Sequence, residues 1–156
     1  MRFQNRFFWL IFLLAATLIN ASVAPAEAEV PADDLRITTS AGQTIDLQVA
    51  FAITPEQQRR GLMYVENMPA NYGMVFLMRP PRQAHFWMRN TKLPLDMIFI
   101  APGGRIERIV TRYDTNSDAV TSSQGLVSAV LEIAADGARK LGIQQGDRVS
   151  HETVQF

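Results

Sequence analysis

One stretch of the chain constrains its fold more than any other, because its apolar residues recur at every second position. Residues 44–53 read TIDLQVAFAI, and the odd-numbered positions carry Ile, Leu, Val, Phe and Ile in turn. Side chains of a β-strand alternate between its two faces, so this pattern predicts a strand with one face against a core. The preceding run LRITTS, together with Gly42 in the gap, predicts that the two runs form a hairpin.

Further short apolar runs predict a series of strands after this hairpin. They lie near 73–78, 83–89, 96–101, 105–113 and 126–134, and a last strand follows the turn at GDRV. Pro80 and Pro81 are expected to separate the first two of these runs, because proline cannot donate to a strand ladder. The polar residues 114–124 are expected to form a loop.

Two short helices are also predicted. Thr54 suits an N-cap and Pro55 suits the first helical position, which places a helix over about 55–63. The stretch ADGARKLG predicts one or two helical turns that end at Gly142. The expected fold class is therefore mainly β, a sandwich or partly open barrel of about seven or eight short strands with one or two short helices.

The N-terminus has the three parts of a secretory signal peptide. A basic start precedes the apolar run 7–19, and small residues lead to an expected cleavage site after Ala28. This divides the chain into a signal peptide (1–28), a flexible leader (29–34) and one β-rich domain (35–156). The apolar run is short for a spanning helix, which needs roughly 20 residues, although an uncleaved anchor is the alternative. We expect an exported protein of the periplasm or the extracellular space.

Charge and cysteine content narrow the classes of partner and chemistry. The chain has 15 basic residues, 15 acidic residues and no cysteine. This balance argues against a nucleic-acid partner and against a polybasic membrane contact. Without cysteine there is no disulfide and no thiol nucleophile. The expected partners are a small polar ligand or an envelope component, with no stable membrane span after signal cleavage.

A polar cluster between two predicted strands is the main candidate site. The sequence WMRNTKLPLD contains Trp87, Arg89, Asn90, Thr91 and Asp96. An indole face, hydrogen-bonding side chains and a cation of this kind could hold a small polar ligand or a sugar ring. The same residue types also satisfy backbone groups in turns, so a purely structural turn is the alternative interpretation.

Several motifs resemble the family known as domain of unknown function 192. In chain order they are RGLM (60–63), GMVF (73–76), FWMRNTKLPLDMIFI (86–100), VLEI (130–133) and GIQQGDRV (142–149). The resemblance covers about Leu35 to Val154. It implies a compact, mainly-β, sandwich-like domain that occurs in bacteria and archaea and is often exported. It implies no activity.

Two classes of function follow from these patterns. The favoured hypothesis is a non-catalytic, small-ligand-binding or accessory domain of the periplasm or cell envelope, with no catalytic residue, metal or cofactor assigned. The alternative is a hydrolase of envelope carbohydrate that uses Asp96 as a catalytic carboxylate, with Glu132 as its acidic partner. A mixed metal site of His85, Asp96 and Glu132 is conceivable, but Glu132 is more simply explained as a carboxylate bonded to a backbone or arginine partner.

Overall fold

A single curled sheet of seven strands forms a half-barrel in the computed structural model, which describes residues 33–156. The predicted signal peptide lies outside the described residues. The strands are β1 (Asp33–Thr38), β2 (Thr44–Ala52), β3 (Tyr72–Phe86), β4 (Leu95–Ile100), β5 (Ile106–Arg112), β6 (Thr121–Ala134) and β7 (Arg148–Ser150). Their order in the sheet is β5-β4-β6-β3-β2-β1-β7. Strands β2 and β3 run parallel, and the other neighbours run antiparallel.

The two edges of this sheet approach each other at one end. The residue before β5, Arg105, forms an isolated antiparallel bridge with Arg148 in β7. The amide of Val149 donates to the carbonyl oxygen of Gly104 at 2.7 Å. The mainly-β prediction is thus confirmed, and of the two expected forms the partly open barrel is the one that occurs.

The first hairpin forms as the alternating pattern predicts. Leu47 and Val49 are buried on β2, and Ile37 on β1 lies opposite Ile45. The hairpin turn places Gly42 at a φ of 81°, a conformation that glycine adopts without strain. Ile53 departs from the pattern because the strand ends at Ala52, and its side chain is 64% exposed.

Both predicted helices are present and short, although the first ends at Arg60 and not near residue 63. Helix α1 (Pro55–Arg60) begins with a capping box, in which Thr54 Oγ1 accepts from the Gln57 amide at 3.2 Å. Helix α2 (Gly137–Leu141) ends at Gly142, which has a φ of 77°. Across residues 33–156, no helix is long and apolar enough to cross a bilayer.

The sheet carries apolar side chains on both faces, and each face has its own core. The inner face lines the half-barrel and is covered by α2; its larger buried members are Leu35, Ile37, Leu47, Val49, Val75, Ile98, Ile100, Leu131 and Ile133. The outer face involves the central strands β3, β4 and β6; its buried members include Leu62, Phe76, Met78, Ala84, Met88, Met97, Phe99 and Val130. All six residues of β4 are buried, because this strand contributes to both cores.

The predicted break at Pro80 and Pro81 is wrong, because β3 continues through both prolines. Its pairing with β6 jumps from Leu77–Ala129 to Arg82–Val127, so that residues 78–81 bulge opposite one residue of β6. The prolines therefore have no ladder hydrogen bond to donate. The same jump places Val127 on the outer face and Ala129 on the inner face, although residues two apart in a regular strand share a face.

Two predicted boundaries also need correction. The leader was expected to extend to residue 34, but Asp33 already pairs with Val49 in the sheet. The loop was expected to extend to residue 124, but β6 begins at Thr121, opposite Phe86. Asp33 and Asp34 are exposed, whereas Thr121 and Ser123 are buried polar residues. Neither segment has the alternation of apolar residues by which a strand is recognised in sequence.

Candidate functional site

The segment between β3 and β4 is a turn that fastens to the loop after α1. Asn90 has a φ of 56°, in the left-handed region, and its carbonyl oxygen accepts from the Tyr64 amide at 2.9 Å. Thr91 closes the turn by donating its amide to the carbonyl oxygen of Met88 at 3.0 Å. Asparagine tolerates this backbone conformation better than most residues, which accounts for its presence in the motif.

Trp87 and Arg89 form a stacked pair at the surface of this turn. The guanidinium of Arg89 lies 4.2 Å from the centre of the indole ring, and the indole remains 44% exposed. Arg89 Nε donates to Asp118 Oδ1 at 2.6 Å, and this bond lowers the pKa of the Asp118 carboxyl. One face of the indole is therefore already covered by a cation.

Asp96 is buried, and its hydrogen bonds hold α2 against the sheet. Its carboxylate accepts from Thr111 Oγ1 at 2.6 Å, from the Asp136 amide at 3.2 Å and from the Ala138 amide at 2.9 Å. Asp136, which precedes the helix, makes no side-chain cap of its own. Asp96 therefore supplies from β4 the acceptor that an N-cap residue normally supplies from the helix itself.

Asp96 and Glu132 point to opposite faces of the sheet. Residues directly paired across two strands share a face. Asp96 pairs with Ile133, whereas Glu132 pairs with Met97. The predicted carboxylate pair and the mixed metal site with His85 therefore do not form. Within residues 33–156, no group of three or more acidic or histidine side chains is placed to hold a metal ion.

An open cavity of about 460 Å³ lies on the outer face, with Glu132 in its lining. It is bounded by α1 and the turn after it, by the part of β3 that follows the bulge, and by the start of the 87–96 segment. Buried residues form its base, namely Leu62, Phe76, Met78, Ala84, Thr91 and Glu132. Exposed residues form its mouth, namely Arg59, Arg60, Arg82, Gln83, His85 and Trp87. This volume is in the range of small-molecule sites.

Glu132 is a buried residue whose carboxyl has no hydrogen-bond partner among residues 33–156. Its side chain lies between Met74 of β3 and Met97 of β4 in the sheet register, and the residue is 4% exposed. Among the described residues, no side chain or backbone group forms a hydrogen bond with its carboxyl. Burial raises the pKa of Glu132 to about 8, so the group largely keeps its proton at neutral pH. The expected backbone or arginine partner is absent from residues 33–156.

The cavity mouth carries positive charge. Arg59 pairs with Glu56 at 2.9 Å, and Arg82 Nη2 lies 3.4 Å from Gln58 Oε1. In the part of the chain that the structure describes, neither Arg60 nor Arg82 has a carboxylate within ion-pair distance. Glu132 is the single acidic residue among the cavity-lining residues of this described part.

The structure brings two of the five predicted site residues to this cavity. Trp87 and Thr91 line it, while Arg89, Asn90 and Asp96 do not. The arginines of α1 were missed because a polar short helix normally indicates a solvated surface. The acidic residue inside the apolar run VLEI was the available signal for Glu132, since an unpaired charge is rarely placed in a buried strand.

Comparison with known proteins agrees with this fold. The profile of the DUF192 family, described as "Uncharacterized ACR", matches residues 36–151. A crystal structure from Sinorhizobium meliloti 1021, described as a "putative transcription regulator", is 39% identical over 76% of this chain and 92% of that chain, with a TM-score of 0.74. A protein of unknown function from Novosphingobium aromaticivorans DSM 12444 is 33% identical over 83% and 91%, with a TM-score of 0.75. No curated protein is significantly similar to this chain.

Proposed function

The chain belongs to the DUF192 family, and we propose that it is a non-catalytic domain that binds a small organic ligand in the cavity above Glu132. The observation that supports this proposal is a carboxyl that is buried, unpartnered among the described residues and in contact with an open cavity. A buried polar group without a hydrogen bond costs free energy. A ligand that hydrogen-bonds to Glu132 would recover part of that cost.

A hydrolase that uses Asp96 has less support. Its carboxylate already accepts three hydrogen bonds, which serve α2, and it lies on the face opposite the cavity. Acid–base catalysis needs two groups of unlike pKa that converge on one bond. Two side chains of the cavity could act as proton donor or acceptor. Glu132 is buried inside the cavity, whereas His85 is exposed at its mouth.

The balanced charge of the chain gives a DNA-binding role no electrostatic support. The Sinorhizobium structure is described as a "putative transcription regulator", but a nucleic-acid surface normally carries a marked excess of basic residues. This chain has a formal net charge of zero. We therefore favour a small organic ligand over a nucleic acid as the partner.

We further propose that this binding takes place outside the cytoplasm. The support comes from the apolar run 7–19 and the small residues up to Ala28, which are typical of a cleaved signal peptide. Expression of the full chain in a bacterial host, followed by N-terminal sequencing of the envelope fraction, is expected to give a protein that begins at Glu29. An intact N-terminus in the soluble cytoplasmic fraction would contradict the proposal.

The cavity can be tested with a fragment collection and one matched pair of variants. Ligand-observed NMR would screen neutral, anionic and cationic fragments against the full chain. Ala84→Leu adds apolar volume at the base of the cavity, whereas Ala41→Leu makes the same change at the exposed tip of the first hairpin. The hits are expected to bind the wild type and Ala41→Leu, and to lose binding to Ala84→Leu.

Tryptophan fluorescence gives a second readout of the same hits. In a Trp9→Phe background the only indole left is Trp87, which lines the cavity. Ligands in the cavity are expected to change its emission in a saturable way. The proposed function would be refuted by a screen without hits. It would also be refuted by hits that bind the wild type, Ala84→Leu and Ala41→Leu equally.

A further inference from the structure

The charge distribution around the cavity defines the class of ligand, and this inference rests on the function proposed above. We propose that the ligand is an amphipathic organic anion, with its apolar body inside the cavity and its anionic group at the arginine mouth. The mouth, the walls and the base contribute separate arguments.

The mouth selects for negative charge. Arg59, Arg60 and Arg82 are exposed side chains that line the cavity, and Glu56 neutralises the first of them. Guanidinium groups bind carboxylates and phosphates through paired hydrogen bonds, and an approaching cation would be repelled. Arg60 and Arg82, which have no carboxylate partner within residues 33–156, are therefore available to an anionic ligand.

The walls select for an apolar body. Phe76 and Phe86 line the cavity and meet edge to face, with ring centres 5.0 Å apart. Leu62, Met63 and Met78 add aliphatic and thioether surface around them. A fully polar anion would lose its hydration here and gain no hydrogen bonds from these side chains. An alkyl or aryl group would instead be stabilised by the burial of apolar area.

The base tolerates an anionic ligand because Glu132 adds little negative charge of its own. Burial raises the pKa of Glu132 to about 8, so most molecules carry a neutral carboxyl there at pH 7. A neutral carboxyl can both donate and accept a hydrogen bond. It can therefore contact an oxygen of the ligand without repelling an anion at the mouth.

A set of ligands with one alkyl chain and different head groups tests this inference. Octanoate, octyl phosphate, 1-octanol and octylammonium would be titrated into the full chain at pH 7 by isothermal titration calorimetry. Charge-assisted hydrogen bonds to guanidinium groups are expected to make at least one anion bind about tenfold or more tightly than octanol. Octylammonium is expected to bind more weakly than octanol. Comparison of octanoate with octyl phosphate distinguishes a carboxylate ligand from a phosphate ligand.

A double variant of the mouth assigns the effect to its arginines. Arg60→Gln combined with Arg82→Gln is expected to weaken the binding of the preferred anion about tenfold and to leave the affinity for octanol unchanged. Arg139→Gln, on α2 at the inner face, is the control for the loss of a surface charge. It should change the affinity for neither octanol nor the anion.

Three results would overturn the ligand class. The first is that octanol or octylammonium binds more tightly than both anions. The second is that the double variant weakens the binding of octanol and of the anion equally. The third is that none of the four compounds binds. The fragment screen separates these failures from a failure of the proposed function, because fragments that bind the wild type and not Ala84→Leu would keep the cavity as a binding site for another class of ligand.

Discussion

Replacement of Glu132 by glutamine should remove a large pH dependence from the stability of the fold. Below pH 4.5, the ordinary pKa of this carboxyl, both the folded and the unfolded chain are protonated and burial causes no ionisation penalty. Between pH 4.5 and about 8, the unfolded chain loses this proton while the folded chain keeps it. The free energy of unfolding therefore falls as the pH rises through this window.

The structure sets the size of the effect. A pKa raised from 4.5 to about 8, at 1.36 kcal/mol for each pH unit, corresponds to a loss of about 5 kcal/mol above pH 8. This is comparable with the total stability of a small domain, about 5–15 kcal/mol. Glu132→Gln has nearly the same shape and cannot ionise. Its advantage over the wild type should grow from a small value near pH 5 to several kcal/mol near pH 9.

Urea unfolding at pH 5, 6, 7, 8 and 9, followed by far-ultraviolet circular dichroism, measures this difference directly. The other ionisable groups are the same in both proteins, so their contribution cancels in the difference. Glu107→Gln, at an exposed position on β5, is the matched control and should give a difference that hardly changes with pH. A flat difference for Glu132→Gln as well would show that its carboxyl is solvated or paired, and would refute the reasoning.

Substitutions at three further positions test the helix cap, the turn and the sheet. Asp96→Ala leaves two amides at the start of α2 without their acceptor. Urea unfolding should show that the free energy of unfolding falls by about 3 kcal/mol, and calorimetry should show an unchanged affinity for octanoate. A weaker octanoate Kd would instead connect this carboxylate to the cavity. Asn90→Ala should cost about 1 kcal/mol because of its positive φ, whereas Asn90→Gly should cost little, and equal unfolding midpoints would contradict this backbone explanation. Gly73→Ala would place a Cβ 2.7 Å from the carbonyl oxygen of Glu132, so a loss of about 2 kcal/mol or more in the thermal or urea transition is expected, and wild-type stability would show that the two strands can separate at that point.

The sequence allowed the class of the fold to be predicted, because period-two alternation and turn residues are local signals. The β1–β2 hairpin and the capped helix α1 both depend on such signals. The continuity of β3 was missed because it depends on the pairing of β3 with β6. Residues 78–81 bulge away from β6, so the two prolines are not required to donate hydrogen bonds to it. A register jump between strands distant in sequence leaves no mark in either strand alone.

The site was predicted less well, because adjacency in sequence does not tell which face of the sheet a side chain occupies. Trp87 and Thr91 were assigned to the ligand site and line the cavity, but Asp96 belongs to the opposite face. Glu132 was recognised as a carboxylate of interest, yet it was expected to be paired. Its isolation results from its neighbours across the sheet, Met74 and Met97, which only the strand register brings together.

The pairing of β7 with β1 has a consequence for the order of events during synthesis. Arg36 and Ser150 are partners in the sheet, although nearly the whole domain separates them in sequence. A growing chain therefore holds β1 without one of its neighbours until β7 has also been made, so the closing step of folding must wait for nearly the whole domain. A chain cut before β7 would present β1 as an open edge, to which the strands of other chains could add.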